Sequence, residues 1–196
     1  FSYTLQNVET EKLDSNDNKI STDGGKLLSS IGYRISKDTR DNRFNPTSGY
    51  YYALSEQFAG LGGDINYLSS ILRGSYYYKY DYVDMVVGIS GEYGNIEGLG
   101  ENVSKTNRFF LGGRKVRGFD SSGIGPRVSE SSSSSAVGGN NYYAGRVALR
   151  SGIGFPSETG IQWTVFTDFG TLWGVDDTAA NYALSTDQKE IRMSFG

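Results

Sequence analysis

The segment Ile161–Trp173 reads Ile-Gln-Trp-Thr-Val-Phe-Thr-Asp-Phe-Gly-Thr-Leu-Trp, and most of its large apolar residues stand at every second position. Successive side chains of a β-strand point to opposite faces, so this period predicts a strand with one apolar and one wetter face. The predicted apolar face carries Ile161, Trp163, Val165, Phe169 and Trp173. The predicted wet face carries Gln162, Thr164, Phe166, Asp168 and Gly170. Aromatic residues at both ends of the apolar face are typical of a strand that crosses an outer membrane.

The same alternation occurs in other parts of the chain, most clearly over Leu27–Ile35 and Met85–Tyr93. Weaker examples bring the predicted number to about eight strands. Short connections, such as Asp38–Ser48, contrast with one loop over about residues 95–141, which is far longer than the usual 4–6 residues. Short turns at one end and long loops at the other are typical of outer-membrane barrels. We therefore predict an all-β antiparallel transmembrane barrel, here an incomplete arc of about eight strands with one long inward-folding loop.

The composition agrees with this fold class. The chain has 27 Gly, only 3 Pro and 37% hydrophobic residues, which suits alternating strands better than a thick apolar core. A soluble all-β sandwich would have a similar composition, so composition alone leaves both open. No run approaches the ~20 apolar residues that a membrane helix needs. The chain also opens without a secretory leader, inside an apparent strand, which leads us to expect a piece of a longer protein.

The absence of Cys and His removes the usual ligands for zinc and the commonest general base. We accordingly expect no catalytic residues, no metal and no cofactor. The net charge of -3 comes from both signs without a continuous cationic stripe, so we expect no nucleic-acid partner.

Within the long loop, residues Asn107–Arg127 read Asn-Arg-Phe-Phe-Leu-Gly-Gly-Arg-Lys-Val-Arg-Gly-Phe-Asp-Ser-Ser-Gly-Ile-Gly-Pro-Arg. The glycines permit turns and close backbone approach, and the cations lie among aromatic residues. Such a loop predicts an acidic partner elsewhere in the chain. By contrast, we predict solvated linkers at the serine run Ser129–Ala136 and at the polar stretch Asp14–Asp23.

This loop resembles the conserved loop of the BamA-type outer-membrane protein assembly factors, the bacterial surface antigen barrel family. The resemblance rests on the tetrapeptide Val116, Arg117, Gly118 and Phe119, followed by the Gly-Ile-Gly-Pro run at 123–126. Further likeness lies at 38–49, 138–143 and 166–174. Together it extends from about Lys26 to Gly196, which is most of the chain.

In that family the long loop folds back into the barrel, and the tetrapeptide arginine contacts acidic side chains on the inner wall. The resemblance implies that Arg117 pairs with Asp168, which the alternation independently places on the wet face. An arginine and a carboxylate can form two parallel hydrogen bonds, which fix direction as well as distance. The resemblance gives Gly118 and Phe119 steric roles against the wall.

One departure from the family concerns the strand after the loop, where a second acidic residue is common. By spacing, this chain has Ala148 there, flanked by Arg146 and Arg150, which compete for Asp168. Glu92, on a neighbouring inward face, is a possible second participant. The resemblance therefore implies a loop attachment that is looser here or differently made.

The function implied by the resemblance is assistance to the folding and insertion of outer-membrane proteins, in the bacterial outer membrane. The expected partners are unfolded outer-membrane clients, other Bam complex subunits and outer-membrane lipid. Residues 1–196 are expected to be one part of a barrel domain, without the N-terminal periplasmic domains and without the first and last strands. Two alternatives remain open: a two-partner secretion or autotransporter-assembly relative, and a small self-contained barrel that acts as a channel or adhesin.

Overall fold

The computed structural model describes residues 1–13, 19–130, 133–152, 161–176, 184–185 and 189–196. Nearly all of the regular structure in these residues is β-strand, and they contain one 3-10 turn at Asp81–Val83. The strands are β1 (Ser2–Leu13), β2 (Lys19–Asp38), β3 (Gly49–Ala59), β4 (Tyr67–Tyr80), β5 (Met85–Gly98), β6 (Arg127–Glu130), β7 (Ser133–Ala136), β8 (Asn141–Ser151), β9 (Trp163–Trp173), β10 (Leu184–Ser185) and β11 (Arg192–Phe195).

Eight of these strands form one antiparallel sheet in the order β1-β2-β3-β4-β5-β8-β9-β11. Strands β1 and β11 lie at its two edges and do not pair with each other within the described residues, so the sheet is open. This confirms the predicted all-β antiparallel arc of about eight strands. A second, small sheet of order β10-β6-β7 lies in the connecting segments. Among the described residues, no helix is long and apolar enough to cross a membrane.

The register gives the large sheet two different faces. One row across four strands joins Ile35, Leu54, Leu72 and Tyr93, and the side chains of Ile35 and Leu72 are 63% and 52% exposed. We call this apolar, exposed side the outer face. The opposite side carries Asp168 and is contacted by the long loop at β5, β8 and β9, and we call it the inner face. An apolar outer face is typical of a sheet that meets lipid.

A polar row crosses this outer face. Tyr33, Glu56, Ser70, Asn95 and Asn141 are register partners on five consecutive strands. The Tyr33 hydroxyl donates a hydrogen bond to Glu56, and the Asn95 side-chain amide donates one to Asn141 over 2.7 Å. These bonds satisfy groups that would otherwise be costly at an apolar surface.

The connections at one end are short, as predicted. The turn between β2 and β3 is ordered by Asp41, whose carboxylate accepts hydrogen bonds from the Thr47 hydroxyl at 2.7 Å and from the Thr47 and Ser48 amides at 2.8 and 3.0 Å. These bonds stabilise the charged form, so the pKa of Asp41 lies below its ordinary value.

The long loop, predicted at about 95–141, lies between Gly98 at the end of β5 and Asn141 at the start of β8. Both predicted linkers contain residues of β-strands. The predicted linker Ser129–Ala136 contains most of a hairpin, in which Arg127–Glu130 pairs with Ser133–Ala136. Likewise β2 begins at Lys19 and so includes part of the predicted linker Asp14–Asp23, of which residues 14–18 lie outside the described residues. Polar strands of this kind do not show the apolar alternation on which the prediction rested.

The buried core lies between the inner face and the long loop. One buried cluster consists of Leu28, Ala59, Ile65, Tyr67, Ile96 and Val103. A second consists of Leu111, Val116, Ile124, Tyr142, Ala144 and Leu172. The second cluster takes three residues from the loop and three from β8 and β9. Apolar burial therefore attaches the loop to the sheet.

Candidate functional site

The tip of the long loop is a compact turn that rests on the inner face. The Gly113 amide donates to the Phe119 carbonyl over 2.9 Å, and the Lys115 amide donates to the Gly112 carbonyl over 3.0 Å. Gly118 has φ of +84°, a left-handed conformation that residues with a Cβ rarely adopt. Glycine at this position lets the chain reverse directly after Arg117. The arginine therefore points to the wall while the backbone turns back.

Arg117 and Asp168 are in direct contact. Nε of Arg117 lies 2.7 Å from Oδ2 of Asp168 and Nη2 lies 2.9 Å from Oδ1, which makes two parallel hydrogen bonds. The Arg117 backbone amide adds a third bond to Oδ2 over 3.1 Å. Asp168 is fully buried, whereas 37% of the Arg117 side chain is exposed. The guanidinium also lies over the Phe166 ring, 3.1 Å from its centroid. Both the side chain and the backbone of the loop tip thus contact one carboxylate.

Arg146 of β8 binds the same carboxylate. Its Nε and Nη2 lie 2.7 and 3.0 Å from the two oxygens of Asp168, so the carboxylate accepts five hydrogen bonds from two arginines. Arg150 does not contact Asp168 and donates instead to the Pro46 carbonyl in the β2–β3 turn. Of the two competitors predicted for Asp168, the structure therefore brings only Arg146 to it.

The residues around Arg117 have steric roles. Val116 is fully buried, and Phe119 packs on the same cluster. Beneath them, a Cβ added to Gly170 would lie 3.0 Å from a methyl carbon of Val116 and 2.9 Å from the Tyr143 carbonyl oxygen. Glycine at 170 thus gives the loop room to approach the wall. Ala148 lies on β8, the strand that follows the loop, at the position where the resembled family often has an acidic residue. Its register partner is Phe166 of β9.

Glu92 lies on the inner face of β5 and does not contact Arg117. It binds Lys115 of the loop tip at 2.6 Å and Arg73 of β4 at 2.5 Å, and it accepts a hydrogen bond from the Tyr142 hydroxyl. Sequence reasoning named Glu92 but missed its three partners. Lys115 directly precedes the tetrapeptide, and Arg73 is the register partner of Glu92 on the neighbouring strand. The position of Lys115 in the loop motif and the pairing of β4 with β5 are therefore the signals that could have identified these two cations.

The site offers hydrogen bonding, ion pairing and packing. Within the described residues, no group of three or more His, Cys, Asp or Glu side chains is placed to hold a metal ion. Each carboxylate is instead surrounded by cations, which suits a mechanical attachment between the loop and the wall.

The model of the Omp85 superfamily domain matches residues 1–196. An outer membrane protein assembly factor BamA of Neorickettsia risticii is 32% identical over the whole of this chain, which covers 26% of that protein. A SAM50-like protein of Schizosaccharomyces pombe is 33% identical over 64% of the chain, which corresponds to 27% of its length. The chain therefore spans about a quarter of the length of these relatives.

The fold also resembles a solved structure. The crystal structure of BamA from Haemophilus ducreyi lacking POTRA domains 1-3 superposes with a TM-score of 0.76 at 18% identity, covering 94% of this chain and 38% of that one. The likeness confirms the barrel-type arc predicted from the alternation.

Proposed function

This chain belongs to the Omp85 superfamily, and on that premise we propose that it is part of the barrel of an assembly factor that assists the folding and insertion of outer-membrane proteins. The relatives that support this proposal are named as assembly factors and SAM50-like proteins. The corresponding location is the bacterial outer membrane. In this proposal residues 1–196 form one part of a larger barrel domain, and further strands and periplasmic domains belong to the full-length protein.

The observation that carries the proposal is the attachment of the loop tip to the inner face. Arg117 makes three hydrogen bonds to the buried Asp168, and Val116 packs beneath it. We propose that this attachment holds the long loop inside the arc and thereby braces strands β8 and β9 against the rest of the sheet.

The work assigned to the protein requires no covalent chemistry. Unfolded clients present strands with unpaired backbone groups, which pair favourably with an accessible strand edge. We propose that client pairing occurs at strands outside residues 1–196 and that the present arc supplies the rigid part of the wall. The proposed partners are unfolded clients, other subunits of a Bam complex and the lipid around the outer face.

The test uses the full-length protein reconstituted in phospholipid vesicles. A urea-denatured outer-membrane protein is added, and its insertion is followed by protection from protease and by its heat-modifiable migration on gels. We expect insertion several-fold faster than in empty vesicles, and slower insertion with Arg117→Ala than with the exposed-loop control Lys105→Ala. Equal rates with and without the protein would refute the proposed function. Transfer of the client into the vesicle interior would instead favour the secretion alternative.

A further inference from the structure

Glu92 is surrounded by groups from three different parts of the fold. Lys115 reaches it from the loop, Arg73 from β4 and Tyr142 from β8. Only 18% of the Glu92 side chain is exposed, so these contacts replace most of its hydration. Charge-assisted hydrogen bonds in such a setting are stronger than those between exposed ions.

Lys115 is held by two different interactions. Its ammonium nitrogen lies 2.6 Å from Oε1 of Glu92 and 3.9 Å from the centroid of the Tyr142 ring. The ring face attracts the cation, and the Tyr142 hydroxyl binds the same carboxylate. The ring and the carboxylate together define one position for the ammonium group. A lysine that merely projected into a wet space would not be fixed in this way.

The two carboxylates lie on opposite sides of β8. Glu92 of β5 is opposite Ala144 of β8, which is in turn opposite Gly170 of β9, two residues from Asp168. Neighbouring strands lie about 4.8 Å apart, so β5 and β9 are separated by about 10 Å. Three consecutive loop residues cover this width: Lys115 binds the β5 side, Val116 packs in the middle, and Arg117 binds the β9 side.

We propose that Lys115 and Glu92 form a second anchor for the loop, which complements the anchor between Arg117 and Asp168. The bonds from Arg117 to Asp168 hold both the side chain and the backbone amide of that residue, but all of them lie on the β9 side of β8. A second attachment on the β5 side holds the tip at two separate positions and fixes its orientation. The inference rests on the proposed role of the docked loop, and it identifies Lys115 as a positioning residue.

The experiment measures release of the loop directly in the full-length protein. Residues 1–196 contain no cysteine, and Ile124 of the loop is only 3% exposed, so Ile124→Cys places a thiol that reacts with a maleimide when the loop lifts. In this background we compare Lys115→Glu, Glu92→Lys and the double exchange. Any cysteines elsewhere in the protein are distinguished by peptide mapping. Heat-modifiable migration shows which variants contain a folded barrel.

Each single exchange should raise the labelling rate about ten-fold, the factor expected for loss of one charge-assisted hydrogen bond. The double exchange should label more slowly than Glu92→Lys alone, with incomplete recovery because the introduced lysine would face Arg73, and Lys115→Arg should remain close to the parent rate. Lys105→Glu, the same change at an exposed loop position, should have no effect. Lys115→Met removes the positive charge at this position without placing a second negative charge beside Glu92, and this variant should also label faster. It keeps the test informative should Glu92→Lys not fold.

Parent-like labelling in Lys115→Met and Lys115→Glu would overturn the second anchor, and so would a double exchange as fast as the faster single variant. The assay needs no client protein. Failure of client insertion would therefore count against the proposed function alone, while unchanged labelling would count against the anchor alone.

Discussion

Asp168→Asn removes one charge from the wall with almost no change in shape. The carboxylate accepts three bonds at Oδ2 and two at Oδ1, all from Arg117 or Arg146. Asparagine keeps one acceptor oxygen and turns an amide group toward donors at the other position. At least one side-chain bond from Arg117 is therefore lost, and the two guanidinium groups are left without a neutralising charge.

The magnitude follows from the exposure of the partners. A hydrogen bond to a charged group contributes about 1.5–3 kcal/mol. Because 37% of Arg117 and 35% of Arg146 are exposed, water compensates for part of the loss, and we expect about 2 kcal/mol. At about 1.4 kcal/mol per factor of ten, this raises the fraction of molecules with a released loop roughly thirty-fold.

Amide hydrogen exchange measures this fraction. The reporting amide is that of Arg117, which is bonded to Asp168, whereas the Gly113 amide is bonded to the Phe119 carbonyl within the loop tip. In Asp168→Asn the Arg117 amide should exchange roughly thirty-fold faster if loop release limits exchange, while the Gly113 amide keeps its bond. Asp120→Asn makes the same change at an exposed position of the same loop and serves as the matched control.

Two results would refute the reasoning. Exchange within two-fold of the parent at the Arg117 amide would show that Asp168 does not hold the loop. Equal acceleration throughout β8 and β9 would show that Asp168 supports the wall itself. In the first case the apolar cluster would hold the loop and the charge would contribute little to docking. In the second case Asp168 would act mainly through its bonds to Arg146 of β8.

Three further outcomes are expected. Gly170→Val should destabilise the folded protein by about 1–3 kcal/mol, because the valine side chain would overlap Val116 of the loop and the Tyr143 carbonyl. The temperature at which the protein changes from the folded to the unfolded gel mobility should fall. Because the pKa of Asp41 is lowered, its contribution to turn stability is complete above the ordinary carboxyl pKa and is lost as the pH falls through the lowered pKa. The protection of the Thr47 amide against hydrogen exchange should therefore decline in acid. The substitution Asp41→Asn should abolish this pH dependence. Leu72→Glu on the outer face should destabilise the barrel in bilayers, whereas Ser75→Glu on the inner face should not, and equal effects would contradict the assignment of the faces.

The sequence predicted those features that depend on local alternation. Period-two patterns located strands such as β9 and placed Asp168 on the inner face, because strand geometry fixes which side of the sheet each residue occupies. The same reasoning missed the hairpin around Ser129–Ala136. Its pairing is between polar residues, so hydrophobicity gives no signal there.

The partners of the charged side chains were harder to predict. Arg117 and Asp168 are 51 residues apart, and only the resemblance to a family joined them. Nothing in the spacing separates Arg146, which binds Asp168, from Arg150, which binds the Pro46 carbonyl. A period of two places both on one face, but it does not give the distance along the strand to a particular loop residue. Such contacts depend on the register between strands and on the path of the loop.

The two carboxylates share a common arrangement that bears on how firmly the loop is held. Asp168 is bound by Arg117 of the loop and Arg146 of the wall, and Glu92 by Lys115 of the loop and Arg73 of the wall. When the loop detaches from the inner face, Asp168 keeps its ion pair with Arg146 and Glu92 keeps its ion pair with Arg73. Neither carboxylate is then left buried without a counter-charge. The large penalty for breaking a buried ion pair arises mainly from such an abandoned charge. The wall arginines therefore lower the free energy needed to release the loop while keeping its binding positions formed. An attachment built in this way leaves neither carboxylate without a cationic partner when the loop is displaced.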